Sequence, residues 1–217
     1  FTQYLPKGSL QNLLNILRQR KNRFNWTKTD NYITLLGISL GLNYLHSKNI
    51  VHQNLKPSNI LFDNNYYPII CDIDIFNQKP TNFTKSYDIC CFAQIIYELT
   101  TNKRPPIQIY EIPDLNVQEF IIRCISNDIE KVPSSEEVLD FILEKHFKDL
   151  FDTIDMNKVI QYLNFCHKNQ TDGEDFAVHG MLIYEDEKEN AVDLFKEGAK
   201  RGSAKCAFMY ASMITKE

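Results

Sequence analysis

Residues 52–59 read His52-Gln-Asn-Leu-Lys-Pro-Ser-Asn59, and their meaning depends on what flanks them. Downstream lie two short β-type runs, Asn59-Ile-Leu-Phe62 and Pro68-Ile-Ile-Cys71, separated by Asp63-Asn64-Asn65, residues whose side chains bond back to their own backbone in turns. The pattern predicts a loop leading into a small hairpin. Upstream, Thr27-Lys-Thr-Asp30 has capping-box spacing, opening a predicted helix over 30–47 that is apolar nearly all round: Ile33, Leu35, Leu36, Ile38, Leu40, Leu42 and Leu45. A helix without a polar face belongs inside a domain. A shorter helix is predicted within 9–24.

Helical periodicity returns after the hairpin. Ile89, Phe92, Ile96 and Leu99 form one stripe at 3-4-3 spacing and Val117, Phe120, Ile121, Cys124 and Ile125 a second at i, i+3, i+4, i+7, i+8. Ser134-Ser-Glu-Glu137 after Pro133 is another capping box, predicting a helix through Val138, Leu139, Ile142 and Leu143. The segment 147–170 is read as helical and runs into Lys-Asn-Gln-Thr-Asp-Gly at 168–173, which suits a boundary. Small residues at helical spacing follow: Ala191, Phe195, Ala199, Gly202, then Ala207, Tyr210 and Ala211. Two helices packed about a glycine turn are expected. His179-Gly-Met-Leu182 recurs loosely as Tyr210-Ala-Ser-Met213, an offset of 31 residues that falls among helical-hairpin repeat periods. The fold class is therefore mainly α, formally α+β. The expected domains are 1–146 around the loop and hairpin, a helical linker over 147–172, and a repeat segment over 173–217.

Composition narrows the partners. With 217 residues, 43% hydrophobic and a net charge of -4, the chain can bury a core but presents no basic stripe for nucleic acid. No window approaches a membrane span. The six cysteines show no C-x-x-C pairing and read as reduced thiols of a cytoplasmic protein. The chain starts at Phe1 rather than Met, so it reads as a trimmed start or a piece of something longer.

In this order, the motifs resemble the C-terminal lobe of eukaryotic protein kinases, of the serine/threonine or tyrosine-kinase-like kind, whose catalytic loop reads H-R-D-L-K-P-x-N. Gln3-Tyr-Leu-Pro-Lys-Gly-Ser-Leu10 is similar to the hinge, and Ile70-Cys-Asp-Ile-Asp74 to the strand ending in D-F-G. Ser86-Tyr-Asp88 through Tyr97-Glu-Leu99 resembles the central helix with its buried aspartate, and Cys124 through Val132-Pro-Ser the closing motif. The resemblance implies that Lys56 faces the transferring phosphate and that Asn59 and Asp72 hold magnesium. It gives His52 and Asp88 scaffold roles beneath the loop.

This chain departs from the pattern in ways that share a direction. Asn54 stands where the family has its general base, and an amide accepts no proton at neutral pH; losing such a base costs on the order of 10²–10⁴ in rate. Only 16 positions separate Asp72 from Asp88, too few for the usual peptide-binding activation segment, and no A-P-E occurs. Pro105 to Asn116 is likewise short for the family's additional helix. Asp74 replaces the D-F-G glycine, Gln53 the H-R-D arginine, and Val132 the closing-motif arginine: charges have gone where their partners have gone. Neither G-x-G-x-x-G nor a V-A-I-K lysine occurs in these residues.

The expected function is that of a degenerate, non-catalytic kinase-like module with no cofactor. The alternative is a fragment of a serine/threonine or tyrosine kinase that uses ATP and magnesium within a longer chain; a third reading leaves function to the repeat alone. Asn190-Ala-Val-Asp-Leu-Phe-Lys-Glu-Gly-Ala-Lys-Arg-Gly202 resembles Sel-like repeats, relatives of tetratricopeptide repeats, which implies protein partners. Phe208, Met209, Met213 and Ile214 are the expected exposed contact set.

Overall fold

The computed structural model describes residues 5–19, 25–73, 85–151, 153–169, 173–184 and 186–214. The side chains of His146, Asn169, Glu174 and Ile214 lie outside that description, as do the start of the hinge-like stretch, residues 20–24, Asp74 with the rest of 74–84, and part of the 168–173 boundary run. The chain divides into two units, Phe1–Ile154 and Asp155–Glu217; the division falls inside the stretch that sequence assigns to a linker.

The first unit is built on α2 (Lys28–Ser47). Its capping box is complete: Thr27 Oγ1 accepts from the Asp30 N–H at 3.2 Å, and Asp30 Oδ2 accepts from the Thr27 N–H at 2.8 Å. With Thr27 as cap the helix begins at Lys28, two residues before the sequence expectation. Tyr32, Leu35, Leu36, Ile38 and Leu42 are fully buried, as an all-round apolar helix requires. α2 packs on α5 (Ser135–Leu143), α3 (Lys85–Thr101) and the hairpin strand β2 (Pro68–Ile70). Against β2 the approach is close: a Cβ on Gly41 would stand 2.6 Å from Ile70 Cδ1, the outer end of a side chain that would have to turn aside.

Strand β1 (Ile60–Phe62) pairs antiparallel with β2 in the register Ile60↔Ile70, Leu61↔Ile69, Phe62↔Pro68. The turn is closed by Asp63 Oδ1, which accepts from the N–H groups of Asn65 and Tyr67, both at 2.8 Å. α1 (Leu10–Arg18) is capped by Ser9 and ends earlier than the 9–24 window expected. Its terminal Arg18 donates to Glu98 Oε2 at 2.6 Å and to the carbonyls of Asn102 and Lys103, tying α1 to the end of α3. α4 (Leu115–Cys124), α5 with its Ser134–Glu137 capping box, and α6 (Lys145–Asp149) complete the unit. Between α3 and α4 the described residues hold only a single 3-10 turn, Ile109–Glu111.

The second unit holds α7 (Met156–Asn169), α8 (Glu174–Ile183), α9 (Lys188–Lys200) and α10 (Ala204–Ile214). The helix expected over 147–170 is thus two helices. Asp155 explains the interruption: its side chain accepts from the Lys158 N–H at 3.3 Å and its carbonyl from the Val159 N–H, starting a new helix. α9 packs on both α8 and α10, with Ala191, Phe195 and Cys206 fully buried between them.

Candidate functional site

The loop hangs from one carboxylate. Asp88, 0% exposed in the first turn of α3, accepts from the backbone N–H of His52 at 2.7 Å and of Gln53 at 2.9 Å, and lies 3.0 Å from His46 Nε2. His46, in the last turn of α2, is the member that sequence reading missed; nothing but its place on the otherwise apolar inner face of that helix could have flagged it. Gln53 holds left-handed backbone at φ 65°, a conformation costing roughly 1 kcal/mol for a residue with a Cβ. The bond from its N–H to Asp88 helps hold it there.

His52 is fully buried and its ring bridges loop and hairpin. Nδ1 accepts from the Asn54 N–H at 3.2 Å, so Nε2 carries the proton and donates to the Cys71 carbonyl at 2.9 Å. Burial pushes its pKa down, against the raising effect of Asp88, which matches a neutral ring with both nitrogens engaged. Such a histidine positions backbone.

The chemistry-bearing positions follow from this scaffold. The β1–β2 pairing extends one step beyond the strands, the Cys71 N–H donating to the Asn59 carbonyl at 2.9 Å, so Asn59 faces Cys71 and Asp72 follows one residue further on at the open end of the hairpin. Asn59 is buried, its Nδ2 donating to the Asn54 carbonyl at 2.8 Å and its Oδ1 accepting from Ser58 Oγ at 3.3 Å. Asp72 is exposed with φ 57°. Lys56 is exposed, and so is Asn54, which is anchored through its backbone carbonyl and N–H. Among the described residues no three His, Cys, Asp or Glu side chains are grouped to hold a metal, and no helix is long and apolar enough to cross a membrane.

On α10, Phe208 stands 72% exposed, whereas Met209 and Met213 are half-buried against the core of their unit. The exposed face expected from sequence is therefore narrower, because α9 covers one side of α10.

A second cluster of polar groups lies within the C-terminal unit. His167 stacks on Phe176 with ring centroids 3.9 Å apart, its Nε2 is 3.4 Å from Asp175 Oδ2, and the Arg201 guanidinium covers the Phe176 ring at 4.5 Å. Burial, with His179 nearby, pushes the pKa of His167 down to about 4 from 6.5; burial lowers His179 too. A histidine whose folded pKa is depressed leaves the unfolded chain to take up the proton first as pH falls. The unit is expected to keep full stability above pH 6.5 and to lose it as pH falls toward 4, by on the order of 2 kcal/mol for His167 alone. Urea titrations across that window, read by hydrogen exchange in α8–α10, check this. Replacing His167 by Phe should remove about one proton's worth of the slope; an unchanged slope would refute it.

Residues 1–91 match the family model of the protein kinase domain. The chain is 26% identical over 182 residues to a probable serine/threonine-protein kinase of Dictyostelium discoideum, covering 64% of this chain and 14% of that protein. It is 28% identical over 184 residues to the serine/threonine-protein kinase CTR1 of Arabidopsis thaliana, covering 65% and 22%. Against the inactive leucine-rich repeat receptor-like protein kinase CORYNE of Arabidopsis thaliana it is 28% identical over 122 residues, covering 47% and 30%. The matched stretches thus span less than a third of each relative. The chain carries a kinase-like domain.

Proposed function

We propose that the kinase-like domain, residues 1–146, transfers no phosphate, and that the chain acts through protein contacts, its C-terminal unit serving as a Sel-like repeat in the cytoplasm. Asn54 carries the reading. The loop around it keeps its hydrogen-bonded frame, yet its side chain is an exposed amide where phosphoryl transfer to a hydroxyl calls for a proton acceptor. The short span from Asp72 to Asp88 supports the same conclusion, since positioning of the acceptor is most of what a kinase contributes.

Part of the cation chemistry remains. Asn59 Oδ1 and the Asp72 carboxylate are hard oxygen donors at the same end of the hairpin, a type that suits magnesium. Bound there with ATP, magnesium would neutralise phosphate charge. These residues fit the metal by donor type, while the group that would take the hydroxyl proton is missing.

The test is radiolabelled phosphate transfer from magnesium-ATP to the chain itself and to generic serine, threonine and tyrosine substrates. Wild type, Asp72→Ala and Asn54→Asp are all expected at background, because restoring one carboxylate does not supply a peptide platform. Incorporation by wild type that disappears in Asp72→Ala, or clear turnover in Asn54→Asp, would establish the enzyme reading instead.

A further inference from the structure

The C-terminal unit carries an open groove that the kinase-like reading does not use. It has a cavity volume of about 490 Å³, with apolar lining from Phe176, Ile183 and Leu194 and three carboxylates, Glu187, Asp193 and Glu197, lining it as well. Glu197 is already shared with Lys200 and Arg201, at 3.4 and 3.3 Å. Glu187 accepts from the neutral amide Asn190 Nδ2 at 2.6 Å, and Asp193 makes no ion pair among the described residues. His179 also lines the groove. It is 7% exposed, and its buried Nδ1 has no hydrogen-bond partner, a state that costs free energy until a ligand relieves it.

We propose that this groove docks a basic amphipathic segment of a protein partner. Its apolar side chains would cover Phe176, Ile183 and Leu194. Its Lys or Arg side chains would meet Glu187 and Asp193, and one N–H donor would reach His179 Nδ1, which accepts when Nε2 carries the ring proton. Charge complementarity selects this occupant: with two uncompensated carboxylates on the lining, an acidic segment would be repelled, and a purely apolar one would leave the carboxylates and His179 unanswered.

The docking rests on reading the C-terminal unit as an interaction module, and the test separates the two. The probes are fluorescein-labelled peptides titrated against the full chain by anisotropy: one of alternating leucine and lysine, one of leucine and glutamate, one of serine and lysine. The leucine-lysine peptide is expected to bind saturably, more weakly at high salt, and at least about tenfold tighter than the other two. Asp193→Lys, an exposed change, should weaken it by about tenfold, while Glu119→Lys, the same charge reversal on α4, should change it by less than about twofold. Circular dichroism melting confirms that both variants stay folded. Equal binding of the leucine-glutamate peptide, equal effects of the two reversals, or no saturable binding would overturn the proposal. Peptide binding lost in Phe208→Ser but kept in Asp193→Lys would overturn the groove while sustaining the module.

Discussion

Replacing Asp88 by alanine is expected to destabilise the N-terminal unit by about 4 kcal/mol, more than any single change within the loop itself. The carboxylate accepts from two backbone N–H groups and meets a buried histidine nitrogen, so its removal strands three donors, two of them in buried bonds. Asp88→Asn should lie between, because an amide has one accepting oxygen and must turn its NH₂ toward a donor. Asn54→Ala is the contrast, expected to cost less than about 0.5 kcal/mol, since that side chain is exposed. Urea unfolding followed by hydrogen exchange over 46–62 reads all three. A loss below about 1 kcal/mol in Asp88→Ala would mean that the loop is held otherwise.

The second large effect is expected at Gly198 in α9. A Cβ there would stand 2.3 Å from Cys206 Sγ, 2.8 Å from Phe176 Cβ and 3.0 Å from the Gly173 carbonyl. These are atoms of two other helical segments, and backbone and Cβ positions cannot rotate aside. Gly198→Ala should therefore cost about 3 kcal/mol, at the upper end of overpacking, despite alanine being the better helix former. Trimming the thiol with Cys206→Ala in the same chain should restore only part, because two of the three clashes remain. Full rescue by that second change, or a stabilised Gly198→Ala, would show that the helices separate readily. Amide protection in α8–α10 is the measurement.

What the sequence made legible and what it left dark divide by range. The capping boxes at Thr27–Asp30 and Ser134–Glu137, the hairpin with its Asp63 turn, and the buried α2 are written in neighbouring residues, so local chemistry predicted them to within two residues. The break at Asp155 was hidden because a helix cap amid polar residues looks like more helix. The contacts that position the loop and that tie α1 to α3 are of another kind. His46 meets Asp88 across 42 residues and Arg18 meets Glu98 across 80; no periodicity encodes such pairs, and only the resemblance pointed to Asp88. The groove was equally invisible, since Glu187 and Asp193 read as ordinary solvated charges until α7, α8 and α9 bring Phe176 and His179 beside them. Met209 and Met213 turned inward because α9 offers α10 an apolar partner.

Among the described residues, the loop's frame runs through the backbone at position 54 and through Asp88, His52 and Asn59, and not through the side chain at 54. Shape and chemistry are therefore separable properties of this loop. A lineage could exchange the residue at 54 many times with almost no penalty in folding, so drift there is invisible to quality control in the cell. Selection for a proton acceptor could lapse, or return by a single codon change, on a scaffold that never came apart.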